Sequence, residues 1–205
     1  MRFPQAQILL FAKAPEAGRV KTRLIPVLGA EGAADLYRRL LRSTILWIKD
    51  AEIAPLICCC APGADHKEFL LLSRDIGLTM ESQLGSDLGE RMAHAASSRL
   101  VSGRTVVLIG GDCPALQPRH LLQTLTWLDG DCDAVIGPAE DGGYVLLGLK
   151  KCSPELFRGI AWGGDTVLEE TRSRLQELRW QWRELEPLWD LDRPADLERF
   201  REMSD

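Results

Sequence analysis

Short apolar runs and amphipathic stretches alternate along almost the whole chain. Residues 7–12 carry Ile8-Leu9-Leu10-Phe11 and read as a first buried strand, and residues 30–49 repeat apolar side chains at helical spacing through Leu36, Leu40, Leu41, Ile45 and Ile48. The apolar stretch 53–60 predicts a second strand, 65–75 a helix, and Leu78-Thr79-Met80-Glu81-Ser82 a short third strand. A helix over 87–101 leads into Thr105-Val106-Val107-Leu108-Ile109, the clearest buried strand of the sequence. Residues 118–128 continue as a helix. Ala134-Val135-Ile136 and Tyr144 to Leu149 are strands, 164–178 is a helix, Trp180 to Leu188 a final strand and 194–203 a terminal helix.

Repeated strand–helix alternation predicts an α/β sandwich around a mostly parallel sheet. The length of 205 residues fits one domain with a substantial core, and no internal repeat or long linker interrupts it. In such sheets ligands bind outside the carboxyl ends of the strands. The loops that follow the first and fourth strands are therefore the places to look for chemistry.

The first of these loops is strongly basic. Lys13, Arg19, Lys21 and Arg23 face a single acid, Glu16, so the eleven residues 13–23 carry four positive charges and one negative in a chain of net charge −5. Pro15 and Gly18 mark it as a loop. Backbone amides, a helix N-terminus and flexible cations can converge there on a phosphate, although a solvated basic turn has the same composition. It is neither of two familiar phosphate loops. Val20, not glycine, precedes Lys21-Thr22, which excludes a Walker A loop, and one glycine is too few for a dinucleotide fingerprint.

The second is Gly110-Gly111-Asp112-Cys113-Pro114, directly after the Thr105–Ile109 strand. Glycines there allow close approach of a ligand. A carboxylate facing a phosphate site suits Mg²⁺, while Asp112 before a turn can equally serve as a cap. Asp141-Gly142-Gly143 is a hairpin turn by its D-G step or part of a substrate site. In Gln83 to Met92 the glycines and short polar residues could meet a base or sugar, and Asp87 could simply cap the helix. Trp162-Gly163-Gly164-Asp165 opens a helix and offers another acid. Asp192 with Pro194 reads as a helix start, which leaves Asp190 freer to face the site.

Composition narrows the function classes. Hydrophobic residues at 45% and charged residues at 27% are ordinary for a soluble globular protein, and the acidic balance argues against a nucleic-acid-coating surface. A small phosphorylated ligand needs only a local basic pocket. The N-terminus has no signal-peptide pattern and no apolar stretch reaches the length of a membrane span, so a cytoplasmic protein without membrane insertion is expected. The six cysteines form no C-x-x-C pair, and Cys58-Cys59-Cys60 read as buried free thiols on alternate strand faces. His66, His94 and His120 have no ligand spacing.

Five segments together resemble a large bacterial family with the glycosyltransferase-A, or nucleotide-diphospho-sugar transferase, fold, often described as radical-SAM/selenodomain-associated transferase. They are F-A-K-A-P-E-A-G-R-V-K-T-R-L at 11–24, L-G-S-D-L-G-E-R-M at 84–92, G-D-C-P-A-L at 111–116, G-P-A-E-D-G-G-Y-V-L-L-G-L at 137–149 and D-L-D-R-P-A-D-L at 190–197. The K-T-R-L and G-D-x-P elements also look, in part, like those of 2-phospho-lactate guanylyltransferases. The resemblance implies a three-layer α/β/α sandwich with a mixed, mostly parallel seven-stranded sheet containing one antiparallel strand. The chain departs from the family pattern at Gly163-Gly164, where Ser-Thr is usual, and at Arg193, where Thr is usual. Compared with sugar-nucleotide pyrophosphorylases, Lys13 stands near the usual glycine and Pro26-Val27 replaces Pro-Lys.

Residues and resemblance together predict a transferase dependent on Mg²⁺ or Mn²⁺ that takes a nucleotide or nucleotide-sugar and a small-molecule acceptor. Nucleotidyl transfer from an NTP to a small phosphorylated acceptor, with release of pyrophosphate, leads. Glycosyl transfer and non-catalytic nucleotide binding are the alternatives. Lys21, Arg23 and Asp112 are the expected catalytic groups; Lys13, Gly18, Arg19, Asp87 and Gly111 join Lys21 and Arg23 around nucleotide and phosphate. Asp141, Gly142, Gly143 and Asp165 are expected at the substrate, and Asp112 with Asp190 at the metal. Lys21 and Arg23 are expected in a partly exposed loop, where their removal leaves the core intact.

Overall fold

A computed structural model describes residues 1–100 and 103–203. Strand β1 (Ala6–Lys13) runs through the centre of the sheet, flanked by β2 (Leu56–Ala61) on one side and β4 (Thr105–Gly110) on the other, both parallel to it. With β3 (Thr79–Ser82), β5 (Ala134–Pro138), β6 (Tyr144–Leu149) and β7 (Trp182–Glu184), the order is β3-β2-β1-β4-β6-β5-β7. Strand β6 alone runs antiparallel, to both β4 and β5, among the described residues. The predicted sandwich with its mixed seven-stranded sheet is therefore the observed fold.

Near-continuous apolar strands require cover on both faces. Helices α1 (Ile25–Asp50) and α4 (Pro118–Asp129) cover one face, where Ile8, Leu10, Val107 and Ile109 pack with Leu41, Ile45, Leu121 and Leu125. Phe69 of α2 (Lys67–Ile76) joins that layer. On the other face Leu9, Val106, Leu108, Ile136 and Leu147 meet Met92 and Ala96 of α3 (Leu88–Leu100), and Leu168 and Leu175 of α5 (Val167–Glu177). The three adjacent cysteines obey strand alternation: Cys58 and Cys60 belong to the first layer and Cys59 to the second. All three are buried free thiols. A third cluster ties the start of α1 to Trp189, Leu191 and Leu197 of the last helix, α6 (Pro194–Glu202).

Boundaries differ from the periodicity in informative places. Gly29, at φ +70°, kinks α1, so the amphipathic run beginning at residue 30 is the part after the kink. The expected strand over 180–188 shrinks to three residues with one further bridge between Ala139 and Leu188, because the apolar Leu185 and Leu188 turn into the first layer instead of alternating. The expected helix 87–101 is described to Leu100, and Val101 lies outside the described residues.

The β5–β6 turn is fixed by contact with the start of α5. Gly142 has φ +89°, and a Cβ there would stand 2.1 Å from the carbonyl oxygen of Asp165, while the Leu168 amide donates to the Gly142 carbonyl at 2.9 Å. Gly142→Ala is expected to destabilise the fold by about 2–4 kcal/mol, combining left-handed strain with a backbone clash. Urea denaturation should show a lowered midpoint, and an unchanged midpoint would disprove this packing.

Candidate functional site

The loop after β1 does not splay its cations into solvent. After Gly18 (φ +78°) the chain turns inward. Lys21 takes a left-handed backbone conformation, φ 47°, rare for a residue with a side chain. A 3-10 turn, Thr22–Leu24, then leads into α1. This geometry drives the Lys21 side chain into the protein, where it is 3% exposed, with Nζ 2.7 Å from Oδ2 of Asp112 and 3.7 Å from Oδ1 of Asp192. The expectation of a partly exposed Lys21 is thus corrected, since an ammonium at the edge of the core needs carboxylates beside it. Burial pulls its pKa down, but Asp112, Asp192 and Asp190 more than reverse this and hold the ammonium above the ordinary lysine value.

Arg23 is exposed as expected, but its guanidinium is bound to the Asp192 carboxylate. Asp192 is therefore a partner for two cations, not the helix cap its position before Pro194 indicated. Capping falls to Asp196, whose carboxylate accepts from the amides of Asp192 and Arg193 at 3.0 and 2.6 Å. Arg19 is exposed and pairs with Glu16 at 3.3 Å, and Lys13 is exposed at the end of β1.

Asp112 stands at the carboxyl end of β4. The segment carrying Asp190 and Asp192 runs alongside it: Leu191 N–H reaches the Asp112 carbonyl at 3.4 Å, and Cys113 Sγ the Trp189 carbonyl at 3.2 Å. Gly110 lines the site, whereas Gly111 is spoken for by packing. A Cβ at Gly111 would sit 2.7 Å from Leu41 Cδ1, so that glycine admits α1 and not a ligand.

Asp112, Asp141 and Asp190 border one cavity of about 250 Å³, and Gly143, Gly163 and Gly164 contribute backbone to it. Its body is apolar, formed by Phe11, Met92, Tyr144, Trp162 and Val167. Burial and the neighbouring Asp141 carboxylate push the Asp190 carboxyl up to about 6, Lys21 opposes this, and Asp112 and Asp192 add to the rise. Asp141 also accepts from the Gly143 amide at 3.0 Å, so its turn is both a hairpin connection and a wall of the site.

Of the five expected acids, two are elsewhere. Asp87 caps α3, its Oδ1 accepting from the Glu90 amide at 2.8 Å. Asp165 is exposed and outside the cavity lining; only its carbonyl matters, against Gly142. Asp192, Tyr144 and Trp162 were not among the expected site residues. Trp162 was legible only as an aromatic beside Gly163-Gly164, and the Asp192 pairing spans 169 residues to Arg23.

The family model described as "Uncharacterized protein conserved in bacteria (DUF2064)" matches residues 44–164. The chain belongs to this family. The matched region holds Asp112 and Asp141, while the first loop and Asp190 lie outside it. A search of curated proteins found no match. Among solved structures, a protein of Desulfovibrio desulfuricans G20, described provisionally as a nucleotide-diphospho-sugar transferase, is 36% identical. The match covers 99% of this chain and 89% of that one, with a TM-score of 0.89. A nucleotidyl transferase from Methanothermobacter thermautotrophicus matches at 17% identity over 97% of each chain, TM-score 0.63. Glucosyl-3-phosphoglycerate synthase from Mycobacterium tuberculosis, crystallised with Mn²⁺, UDP and phosphoglyceric acid, matches at 13% identity over 94% of this chain and 72% of that one, TM-score 0.57. The last two establish the fold alone. No helix among the described residues is long and apolar enough to cross a membrane.

Two outcomes test the charge arrangement. Lys21→Met should cost about 1–3 kcal/mol, less than a fully buried pair because Asp112 is 34% exposed, whereas Arg23→Met should leave stability nearly unchanged. Equal denaturation midpoints for the two variants would overturn the assignment. Asp190 has a folded pKa above its unfolded one, so the native state holds the extra proton between pH 3.8 and about 6 and stability falls as pH rises through that window. Asp190→Asn should therefore match the wild type near pH 4 and exceed it at pH 7.5 by about 1–2 kcal/mol, after allowance for solvent screening. Thermal unfolding in EDTA at both pH values checks this.

Proposed function

We propose that this protein is a divalent-cation-dependent transferase that acts on a nucleotide, moving the nucleotidyl group of an NTP to a small acceptor with release of pyrophosphate. One observation carries the reading: Asp112, Asp141 and Asp190 gather at the mouth of a single cavity with the buried Lys21 ammonium against Asp112. Burial first, and then the neighbouring carboxylates, push Asp190 up to about 6, and an added cation would relieve the second of these.

The donor set fits Mg²⁺ or Mn²⁺. Asp112 and Asp190 offer hard carboxylate oxygens. Among the described residues no group of three or more His, Cys, Asp or Glu could hold a metal, so an ion at Asp112 and Asp190 would need further ligands, a place that substrate phosphates can fill. Bound there, the ion supplies charge neutralisation at the phosphate oxygens. Lys21, fixed by Asp112, Asp192 and its own backbone, adds a preorganised positive charge beside the ion. Arg23, Arg19 and Lys13 lie on the solvent side of that loop, where they can meet the outer phosphates after exchanging their surface partners.

Glycosyl transfer is the second reading, and the ion pairs favour it. Lys21, Arg23 and Arg19 each already face a carboxylate, leaving Lys13 as the cation of the loop without an ion pair among the described residues. A diphosphate donor needs fewer free cations than a triphosphate. Among the described residues the cavity lining offers the phosphate of a phosphorylated acceptor no cationic side chain, which leaves the bound ion as the positive charge beside it.

Incubation with each NTP, Mg²⁺ and pooled small-molecule acceptors should release pyrophosphate, and Asp112→Asn should lower the rate at least about a hundredfold while circular dichroism stays unchanged. Nucleoside diphosphate released only from nucleotide-sugars would reverse the order of the two readings. Tight nucleotide binding with no product from any donor would leave a binding protein.

A further inference from the structure

The cavity beside the acid cluster has a composition that selects among acceptors. Among the described residues its lining contains no Lys, Arg or His, no Asn or Gln, and no Ser or Thr. Its polar side-chain groups are the three carboxylates, the Tyr144 phenol and the Trp162 indole N–H, the last two buried. A dianionic phosphate placed among the apolar walls, away from the ion that Asp112 and Asp190 would hold, would lose its hydration with no cationic side chain beside it. For the edge of a nucleobase the lining side chains offer no amide, and their neutral donors are the Tyr144 hydroxyl and the Trp162 indole N–H, both buried.

What the walls offer is apolar contact and aromatic faces. Tyr144 and Trp162 meet edge-on, with ring centroids 6.4 Å apart and planes at 90°. Phe157 supports the outer side of Trp162 at 6.4 Å. The indole is seated on α3 at Gly89, where a Cβ would stand 2.5 Å from its Nε1, and that nitrogen is buried without a hydrogen-bond partner. A glycine on the helix therefore sets how far the indole stands from the cavity centre.

We propose that this cavity binds the uncharged, apolar body of an unphosphorylated acceptor, a single ring or short branched chain, and presents the acceptor's polar end to Asp112, Asp141 and Asp190. This rests on the transferase reading above, and goes beyond it in naming the acceptor class. The volume of about 250 Å³ is ample for one small ring, and it is the apolar lining, not the size, that selects the occupant.

Benzyl alcohol and benzyl phosphate form a matched pair of probes for the full-length chain. Saturation-transfer NMR should detect benzyl alcohol bound at millimolar concentration, and benzyl phosphate should fail to displace it. Gly89→Ala, which pushes the indole inward, should weaken benzyl alcohol binding at least about tenfold. Leu88→Trp, which fills the cavity from its exposed rim, should do the same and serves if Gly89→Ala does not fold. Mg²⁺-NTP binding, followed separately by calorimetry, separates the two claims. If NTP binds and benzyl alcohol does not, this inference fails alone. If benzyl alcohol binds and no nucleotide or nucleotide-sugar does, the transferase reading fails and the apolar cavity stands. Displacement of benzyl alcohol by benzyl phosphate, or by Mg²⁺-NTP, would overturn the proposal, the latter by giving the cavity to the base.

Discussion

The Lys21–Asp112 pair is the constraint on which the rest of the site depends. An ammonium that is 3% exposed persists only where carboxylates replace its lost water, and two come from segments far apart in the chain: Asp112 at the end of β4 and Asp192 before α6. The pair therefore holds the loop after β1, the loop after β4 and the 189–192 segment in one place. The left-handed backbone of Lys21 is part of the same device. Such a conformation is costly for a residue with a side chain and survives when its surroundings over-determine it.

Solving that problem creates another. Lys21 and Arg23 supply two charges, whereas Asp112, Asp141, Asp190 and Asp192 all act on the same region, and the Asp190 carboxyl, pushed up by burial and by its neighbours, is the one that yields. A folded protein carrying this uncompensated acidity is less stable near neutral pH than one without it. Under the proposed function a divalent cation would neutralise that acidity, so stability of the empty site and binding pull in opposite directions.

The antiparallel strand completes the arrangement. Had β6 run parallel, its incoming turn would lie at the far edge of the sheet. Running antiparallel to β4, it brings Asp141 and Gly143 to the edge where β1 and β4 end. Gly142, pressed against Asp165, then joins that turn to the start of α5 and so to Trp162, the aromatic wall. Strand residues Phe11 and Tyr144, the loops carrying the acids and the helices α3 and α5 thus meet at one cavity.

Periodicity alone determined the strands, the helices and their alternation, because apolar spacing reports which faces a segment must bury, and that is a local property. It also located the two loops at strand ends and singled out Asp112, since glycines and an acid after a buried strand are visible in a few residues. Charge was different. The sequence counts four cations in the first loop but carries no distances, so Lys21 and Arg23 read alike. Only the tertiary structure separates them, burying one against Asp112 and leaving the other outside with Asp192. The same limit hid the cavity. Phe11, Tyr144 and Trp162 lie far apart in the chain, and their proximity follows from strand order and helix packing, where burial and Coulomb energy are set by separation in space and not along the chain.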